Sequence, residues 1–453
     1  MAKHFLSKST FTYGCQCHKR LFLHKFKPQL RNEEDEQQQA IFQAGTDVGI
    51  LAQKLFEGGV DASPPDPFSY QKSVADTKEY LKTHDVIYEA AFQFEGVMCA
   101  VDILVREGNK WHAYEVKSTN SVKEQHRLDA ALQYYVIKNS GLPLSDFSII
   151  TFNKNYVRVD DINVKELFVA QSVKQYCKEE TGFVGTKIWE LKAMLEEKIE
   201  PVVEPGDFCF KPYECNFTQH CWKNVPEEVE EIDETDVPFV DKDALREFVK
   251  QVKYPLYYFD FETVMYGVPE FNYSSPYQQI PFQFSVHVQK SADAELEHYA
   301  FLGDGIHDPR EKLIESMLNL LGKEGSIFGW WIPFEQGRIK ELARNFPTYE
   351  KQLLAINERM VDLIKPFKSK AFYHPGFNGS ASLKSVLPVV IPELSYSALT
   401  IQEGGTASFV YGQLKDMDEQ TAAENMTDLL EYCKLDTLAM VMIWEKLKNL
   451  AEE

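Results

Sequence analysis

Val97-Met98-Cys99-Ala100-Val101-Asp102-Ile103-Leu104-Val105-Arg106-Glu107-Gly108-Asn109-Lys110-Trp111-His112-Ala113-Tyr114-Glu115-Val116-Lys117 is the stretch on which the amino-terminal half turns. Two apolar, β-prone runs, 97–105 and 111–116, flank a polar segment holding Gly108 and Asn109, a strand–turn–strand pattern. Side chains two apart on a strand share a face, so Glu115 and Lys117 project together and Asp102 can lie beside them across the hairpin. Residues 122–139, closed by Gly141, follow as a helix carrying Gln133. Two carboxylates and a lysine on one sheet face can hold a hard divalent cation and orient water for attack on phosphate. They can equally form a solvated ion pair, and D…E-x-K alone does not decide between the two.

Further along, Cys209, Cys215 and Cys221 are separated by five residues each, and Cys17 lies far upstream in Gly14-Cys15-Gln16-Cys17-His18-Lys19-Arg20. Three clustered thiols and a distant one make a four-thiolate site that ties the ends of a domain together. Structural zinc usually pairs ligands about two to four residues apart. The wider spacing suits an iron–sulfur cluster better, with buried free cysteines as the alternative. Cys99, Cys177 and Cys433 sit in apolar segments and read as core residues.

One cysteine before D…E-x-K and three after it resembles the RecB-like PD-(D/E)xK nucleases with an iron–sulfur cluster. That group includes CRISPR-associated exonucleases and the AddB-type recombination nuclease. The resemblance implies a restriction-endonuclease-like α/β domain with Asp102 and Glu115 as metal ligands and Lys117 as the catalytic lysine. It also implies Gln133 as the glutamine of the following helix, and Cys17, Cys209, Cys215 and Cys221 as ligands of a 4Fe-4S cluster. Cys17 is preferred to Cys15 because Cys17-His18-Lys19-Arg20-Leu21-Phe22-Leu23 looks like the family's cysteine followed by a basic–aromatic helix. Two positions depart from the pattern. Ile137 stands where the family has tyrosine, and Gly49, in Gly45-Thr46-Asp47-Val48-Gly49, stands where many members have a histidine ligand.

In the second half, Tyr254-Pro255-Leu256-Tyr257-Tyr258-Phe259-Asp260-Phe261-Glu262-Thr263 alternates so that Tyr258, Asp260 and Glu262 share one face. On a buried strand two such acids repel each other unless a cation intervenes; a solvated edge strand is the alternative. Residues 428–448 read as a helix on which Tyr432 and Asp436, four apart, share a face. An acid pair on a strand plus this Tyr/Asp pair suits two cations roughly 4 Å apart that clamp a phosphate while the tyrosine positions water. The combination looks like the tyrosine branch of the DEDD exonucleases, implying an RNase H-like mixed sheet flanked by helices and 3′-to-5′ removal of nucleotides. Asp260 and Glu262 match its first motif, and Tyr432 with Asp436 its third. Trp330-Trp331-Ile332-Pro333-Phe334-Glu335 supplies the second through Glu335, with Trp331 at the expected asparagine and Asp362 as the runner-up ligand. Gly379-Ser380-Ala381-Ser382-Leu383-Lys384 resembles the stretch between the second and third motifs. End to end, the chain resembles a bacterial fusion of these two nuclease types.

Length and charge bound the rest. At 453 residues the chain suggests more than one domain, and 48 basic against 69 acidic residues give a net charge of −21. Taken whole, that charge disfavours a nucleic-acid partner. Its distribution weakens the objection: residues 1–31 carry seven lysines and arginines and no acid, whereas 227–243 carry nine acids. The acidic run marks a linker over 226–253, between a nuclease domain at 1–225 and an exonuclease domain at 254–453. No apolar window suits a membrane span and no apolar signal core follows Met1, so a cytoplasmic protein with reduced thiols is expected. The expected function is a nuclease with two active sites, dependent on Mg²⁺ or Mn²⁺. Its substrate is DNA, single-stranded ends favoured, in repair, processing or defence. Competing with it are a nucleic-acid-binding or scaffold protein with a decayed site, as Gly49 and Trp331 suggest, and a zinc-bearing interaction module.

Overall fold

The structure is a computed structural model that describes residues 5–33, 36–66, 69–223, 225 and 237–453. The protein is mixed α/β and divides into two compact units, residues 1–228 with 267–277, and residues 229–266 with 278–453. Among the described residues no helix is long and apolar enough to cross a membrane.

The first unit is built on one sheet of β1 (Leu6–Ser7), β2 (Val60–Asp61), β3 (Val86–Phe94), β4 (Val97–Glu107), β5 (Lys110–Val116), β6 (Leu144–Phe152) and β7 (Phe168–Ser172). Strands β2 to β7 lie in sequence order, and β1 pairs in parallel with β4. Glu95 and Gly96 both take positive φ, which gives the two-residue turn from β3 to β4 the twist an antiparallel hairpin needs. The expected hairpin is β4–β5, turning at Gly108-Asn109. It passes through the helix Glu124–Asn139 to β6, which lies parallel to β5. That helix buries Ala130, Ala131, Leu132, Val136 and Ile137 in the core, so the aliphatic Ile137 serves packing at the position where tyrosine was expected. The helix Glu36–Gln53 packs Val48 and Ala52 against Ile103, Tyr114 and Ile150, and leaves Gly45 and Gly49 with open space around them.

The second unit holds β8 (Phe239–Val240), β9 (Leu256–Met265), β10 (Gln279–Gln289), β11 (Leu296–Leu302), β12 (Ser326–Gly329), β13 (Met360–Asp362) and β14 (Phe372–Tyr373). Five of them form a sheet in the order β11-β10-β9-β12-β13. The β9–β10 and β10–β11 pairs are antiparallel, and β12 is parallel to both β9 and β13. Alternation along β9 holds as expected. Tyr257, Phe259 and Phe261 pack on Leu313, Ile314 and Met317, while Tyr258 joins Phe328 and Trp444 on the opposite side. The last helix, Glu419–Glu452, starts well before the expected 428 because Asp418 caps it, accepting from the backbone N–H of Gln420 and Thr421 at 3.1 Å each.

Two boundaries differ from expectation. Of the expected linker, 226–236 lies outside the described residues, but 242–250 is a helix of the second unit. It buries Leu245 and stacks Phe248 edge-on against Trp444. Its acids are helix-start signals: Asp241 accepts the Ala244 N–H at 2.9 Å, and Asp243 sits in the first turn. Residues 267–277, expected in the exonuclease domain, belong to the first unit. There Arg158 donates to the carbonyls of Pro269 and Glu270, and Tyr277 Oη donates to the Ser118 carbonyl at 2.6 Å.

Gly325, before β12, has φ +87°, and a Cβ there would lie 2.0 Å from the Pro255 carbonyl oxygen. Gly325→Ala is expected to lower stability by about 2 kcal/mol or more, read from urea unfolding; an unchanged midpoint would contradict this packing.

Candidate metal centres and thiol site

In the first unit the four residues singled out from the sequence meet. Lys117 Nζ lies 2.7 Å from Glu115 Oε1, and Gln133 Nε2 donates to Glu115 Oε2 at 2.8 Å. Asp102 Oδ2 accepts the Val116 N–H at 2.5 Å, so the hairpin backbone fixes one carboxylate beside the other. Three further groups went unnoticed. Lys8 Nζ also lies 2.7 Å from Glu115 Oε1, and Asp129 Oδ2 lies 2.7 Å from Lys117 Nζ. Glu89 falls opposite Asp102 in the β3–β4 register and takes φ +52°, an unusual backbone for a strand residue. A helix face bearing Asp129 and Gln133, four apart, was a legible signal; Lys8 and Glu89 left none.

The charges are mutually dependent. Burial alone would raise Glu115, but the Lys117 and Lys8 ammonium groups hold it below the ordinary carboxylate range. Burial, then the Glu115 charge, pushes Asp102 up to about 7. Burial with the charges of Asp102 and Glu115 pushes Glu89 up to about 8.

The four expected cysteines also meet. Cys17, Cys209, Cys215 and Cys221 line one small cavity with Phe208 and Phe217, while Cys15 packs against the core of the sheet instead. Hydrogen bonds stitch the two distant segments together. Gln16 Nε2 donates to the carbonyls of Phe208 (2.7 Å) and Tyr213 (2.8 Å), and the Asn32 N–H to that of Asn216 (2.8 Å). Burial pushes the Cys215 and Cys221 thiols up, and Arg20 and Lys19 respectively pull them back. Among the described residues, the one group of three His, Cys, Asp or Glu whose ligand atoms all lie within 4.8 Å of one another is elsewhere.

That group is Asp260, Glu262 and Cys433, in the second unit. It borders a cleft of about 320 Å³ lined by Asp260, Glu262, Trp331, Glu335, Lys384, Tyr432 and Asp436, so all five residues expected there converge. The expected reading of Cys433 as a simple core residue omits its place beside the acid pair, where the thiol donates to the Asp260 carbonyl at 3.9 Å. Asp362 is absent from the cleft lining: its carboxylate accepts the Ile332 N–H at 3.4 Å and steadies the helix Ile332–Asn345, whose first turn delivers Glu335. Tyr396, unnoticed in the sequence, donates its hydroxyl to Asp436 Oδ1 at 2.5 Å.

Burial and the charges of Asp436, Glu262 and Glu335 drive Asp260 well above its ordinary value. Burial, then Asp436, pushes Glu262 up to about 8. Burial also pushes Glu335 and Asp436 up to about 7, although Tyr396 and Lys384 draw Asp436 down. Two lysines answer the acids of the first centre; here the exposed Lys384 draws Glu262 and Asp436 down and Arg338 draws Glu335 down, and all four carboxylates still stand raised. Such a set is a ready host for divalent cations.

Residues 257–382 match the family model described as Domain of unknown function (DUF2779), a span holding Asp260, Glu262 and Glu335 and ending before Tyr432. The chain is 28% identical over 206 residues to "Uncharacterized protein MG366 homolog" of Mycoplasma pneumoniae, covering 41% of this chain and 31% of that one. It is 27% identical over 208 residues to "Uncharacterized protein MG366" of Mycoplasma genitalium, with the same shares. The chain thus matches under a third of the length of these relatives.

Carboxylates raised to about 7 to 8 bind protons in the folded state that the unfolded chain, titrating near 4, has released. Stability of the metal-free protein is therefore expected to fall as pH rises from about 5 to about 9, because the unfolded state holds fewer protons throughout that window. Melting temperature against pH checks this: Asp260→Asn should flatten the fall and Mn²⁺ at alkaline pH should reverse it.

Proposed function

We propose that the chain is a divalent-metal-dependent nuclease with two separate centres, acting on DNA with single-stranded ends favoured. The observation that carries this reading is the convergence of Asp260, Glu262, Glu335, Asp436 and Tyr432 on one cleft from one strand, β9, and two helices. The sheet of the second unit, in which β10 alone runs opposite to the other four strands, agrees with the RNase H-like resemblance, and the β4–β5 hairpin with its following helix agrees with the PD-(D/E)xK one.

Mg²⁺ or Mn²⁺ would be held by Asp260, Glu262, Glu335 and Asp436 in one centre and by Asp102 and Glu115 in the other. When bound, such ions neutralise phosphate charge and acidify the attacking water. Tyr432, its hydroxyl kept protonated by burial and neighbouring carboxylates, can orient that water by hydrogen bonding. Lys384 stands at the same cleft to meet a phosphate oxygen, and exposed Trp331 offers a face on which a terminal base can stack. In the first centre Lys117 orients the nucleophile, and Gln133 keeps Glu115 turned into place. The four thiols suit a 4Fe-4S cluster acting as a staple that closes the loop from Cys17 to Cys221.

The test is cleavage of end-labelled single- and double-stranded DNA and RNA with Mg²⁺ or Mn²⁺, with product-end mapping. Asp260→Ala should abolish 3′-to-5′ shortening, and Lys117→Ala a second activity that persists in Asp260→Ala. Intact substrates with wild-type protein would overturn the nuclease reading. A second reading, in which the first centre is decayed, is favoured by the three donors already bound to Glu115 and by Gly49; it predicts that Asp260→Ala alone removes all cleavage. For the thiol site, anaerobic protein should be coloured with visible absorbance that Cys215→Ser removes. A colourless preparation with stoichiometric zinc would contradict the cluster.

A further inference from the structure

Lys8 reaches the first centre from an element that no motif suggested. β1 runs parallel to β4, pairing Leu6 with Val97 and Ser7 with Met98 on the strand that carries Asp102. Ser7 then caps the helix Lys8–Gln16: Ser7 Oγ accepts the Thr10 N–H at 3.3 Å, and Thr10 Oγ1 accepts the Ser7 N–H at 2.7 Å. The cap makes Lys8 the first residue of that helix, and Cys17 ends it at the thiol cavity. Midway, Gly14 packs so closely that a Cβ would lie 2.5 Å from a Leu191 methyl. The short helix that begins with Lys8 is thus fixed at its start by β1 and the Ser7 cap and along its length by the Gly14 contact.

The Lys8 side chain is held by charge. The ammonium shares Glu115 Oε1 with Lys117, each at 2.7 Å, and lies 3.8 Å from Asp129 Oδ2. Two ammonium groups on one oxygen repel each other, and only the acids around them (Glu115, Asp129 and Asp102) make the arrangement favourable. A divalent cation taken by Asp102 and Glu115 adds two positive charges at that point and removes the reason for the second lysine to stay. Lys117 keeps Asp129 at 2.7 Å; Lys8, on a flexible stem with 30% of its side chain exposed, is the one free to swing outward.

We propose that Lys8 is a tethered counter-ion that competes with a divalent cation for Glu115 and, once displaced, meets the phosphate of the bound substrate. The second half of this role rests on the nuclease reading; the first half does not.

The test uses the full chain carrying Asp260→Ala, which silences the other cleft, and compares it with Lys8→Ala, Lys8→Met and Lys8→Arg added. Mn²⁺ binding is followed by calorimetry and cleavage is measured at saturating Mn²⁺. Lys8→Ala and Lys8→Met, the latter preserving the packing of the stem, should bind Mn²⁺ about tenfold more tightly yet cleave more slowly, and Lys8→Arg should restore the weaker binding. A merely structural lysine would weaken metal binding and cleavage together, and that result, or unchanged Mn²⁺ affinity, would overturn the proposal. Tighter binding with unchanged cleavage would overturn the phosphate role. If the parent cleaves nothing, the nuclease reading fails for this centre while the Mn²⁺ comparison still decides the counter-ion role.

Discussion

Repulsion between carboxylates that the backbone does not allow to separate is the constraint on which the second unit depends. Asp260 and Glu262 lie on β9, where β10 pairs with both positions through Ser285 and Gln283, so the backbone holds the two acids at a fixed separation. Phe259 and Phe261 lock the opposite face into the core, and the last helix brings Asp436 to the same point while Glu335 comes from the helix after β12. Raising Glu262 from 4.5 to about 8 costs the folded state on the order of 5 kcal/mol above that pH. That is a large fraction of the roughly 5–15 kcal/mol by which a domain is stable. A fold carries such a cost where the site has a task, and neutralisation by cations is the chemistry that removes it.

The first unit handles the same problem differently. Its acids are answered by Lys8 and Lys117, whose ammonium groups hold Glu115 ionised and leave the excess on Asp102 and Glu89. The helix Lys8–Gln16 connects this centre to the thiol cavity, with a lysine on Glu115 at one end and Cys17 at the other. An occupant of the thiols would therefore also fix the position of a charge in the carboxylate centre, roughly 13 Å away at the helical rise per residue.

How much of this was legible follows from what sequence patterns encode. Alternation on β4, β5 and β9 and the helical spacing of Tyr432 and Asp436 were readable because each is a local periodicity, and these carried most of the site. The preference for Cys17 over Cys15 came from the resemblance of the basic–aromatic segment after it, and the structure places Cys17 beside Cys209, Cys215 and Cys221 and Cys15 against the sheet core. Lys8, Glu89 and Tyr396 were not readable, because each arrives through tertiary pairing: a two-residue strand beside β4, a positive φ opposite Asp102, and a single 3-10 turn, Tyr396–Ala398, whose tyrosine reaches Asp436. The acidic stretch misled for a related reason. Net charge suggested a solvated linker throughout, while Leu245 and Phe248, at helical spacing, already marked a face that packs.

The most direct measurement of the central claim is the number of protons released when Mn²⁺ binds the metal-free chain at neutral pH, from calorimetry in two buffers of different ionisation enthalpy. Carboxylates kept protonated by one another must give up protons to accept a cation, so wild-type protein should release about one proton or more per chain, and Asp260→Ala measurably fewer. Binding without proton release, or equal release by the variant, would contradict the account.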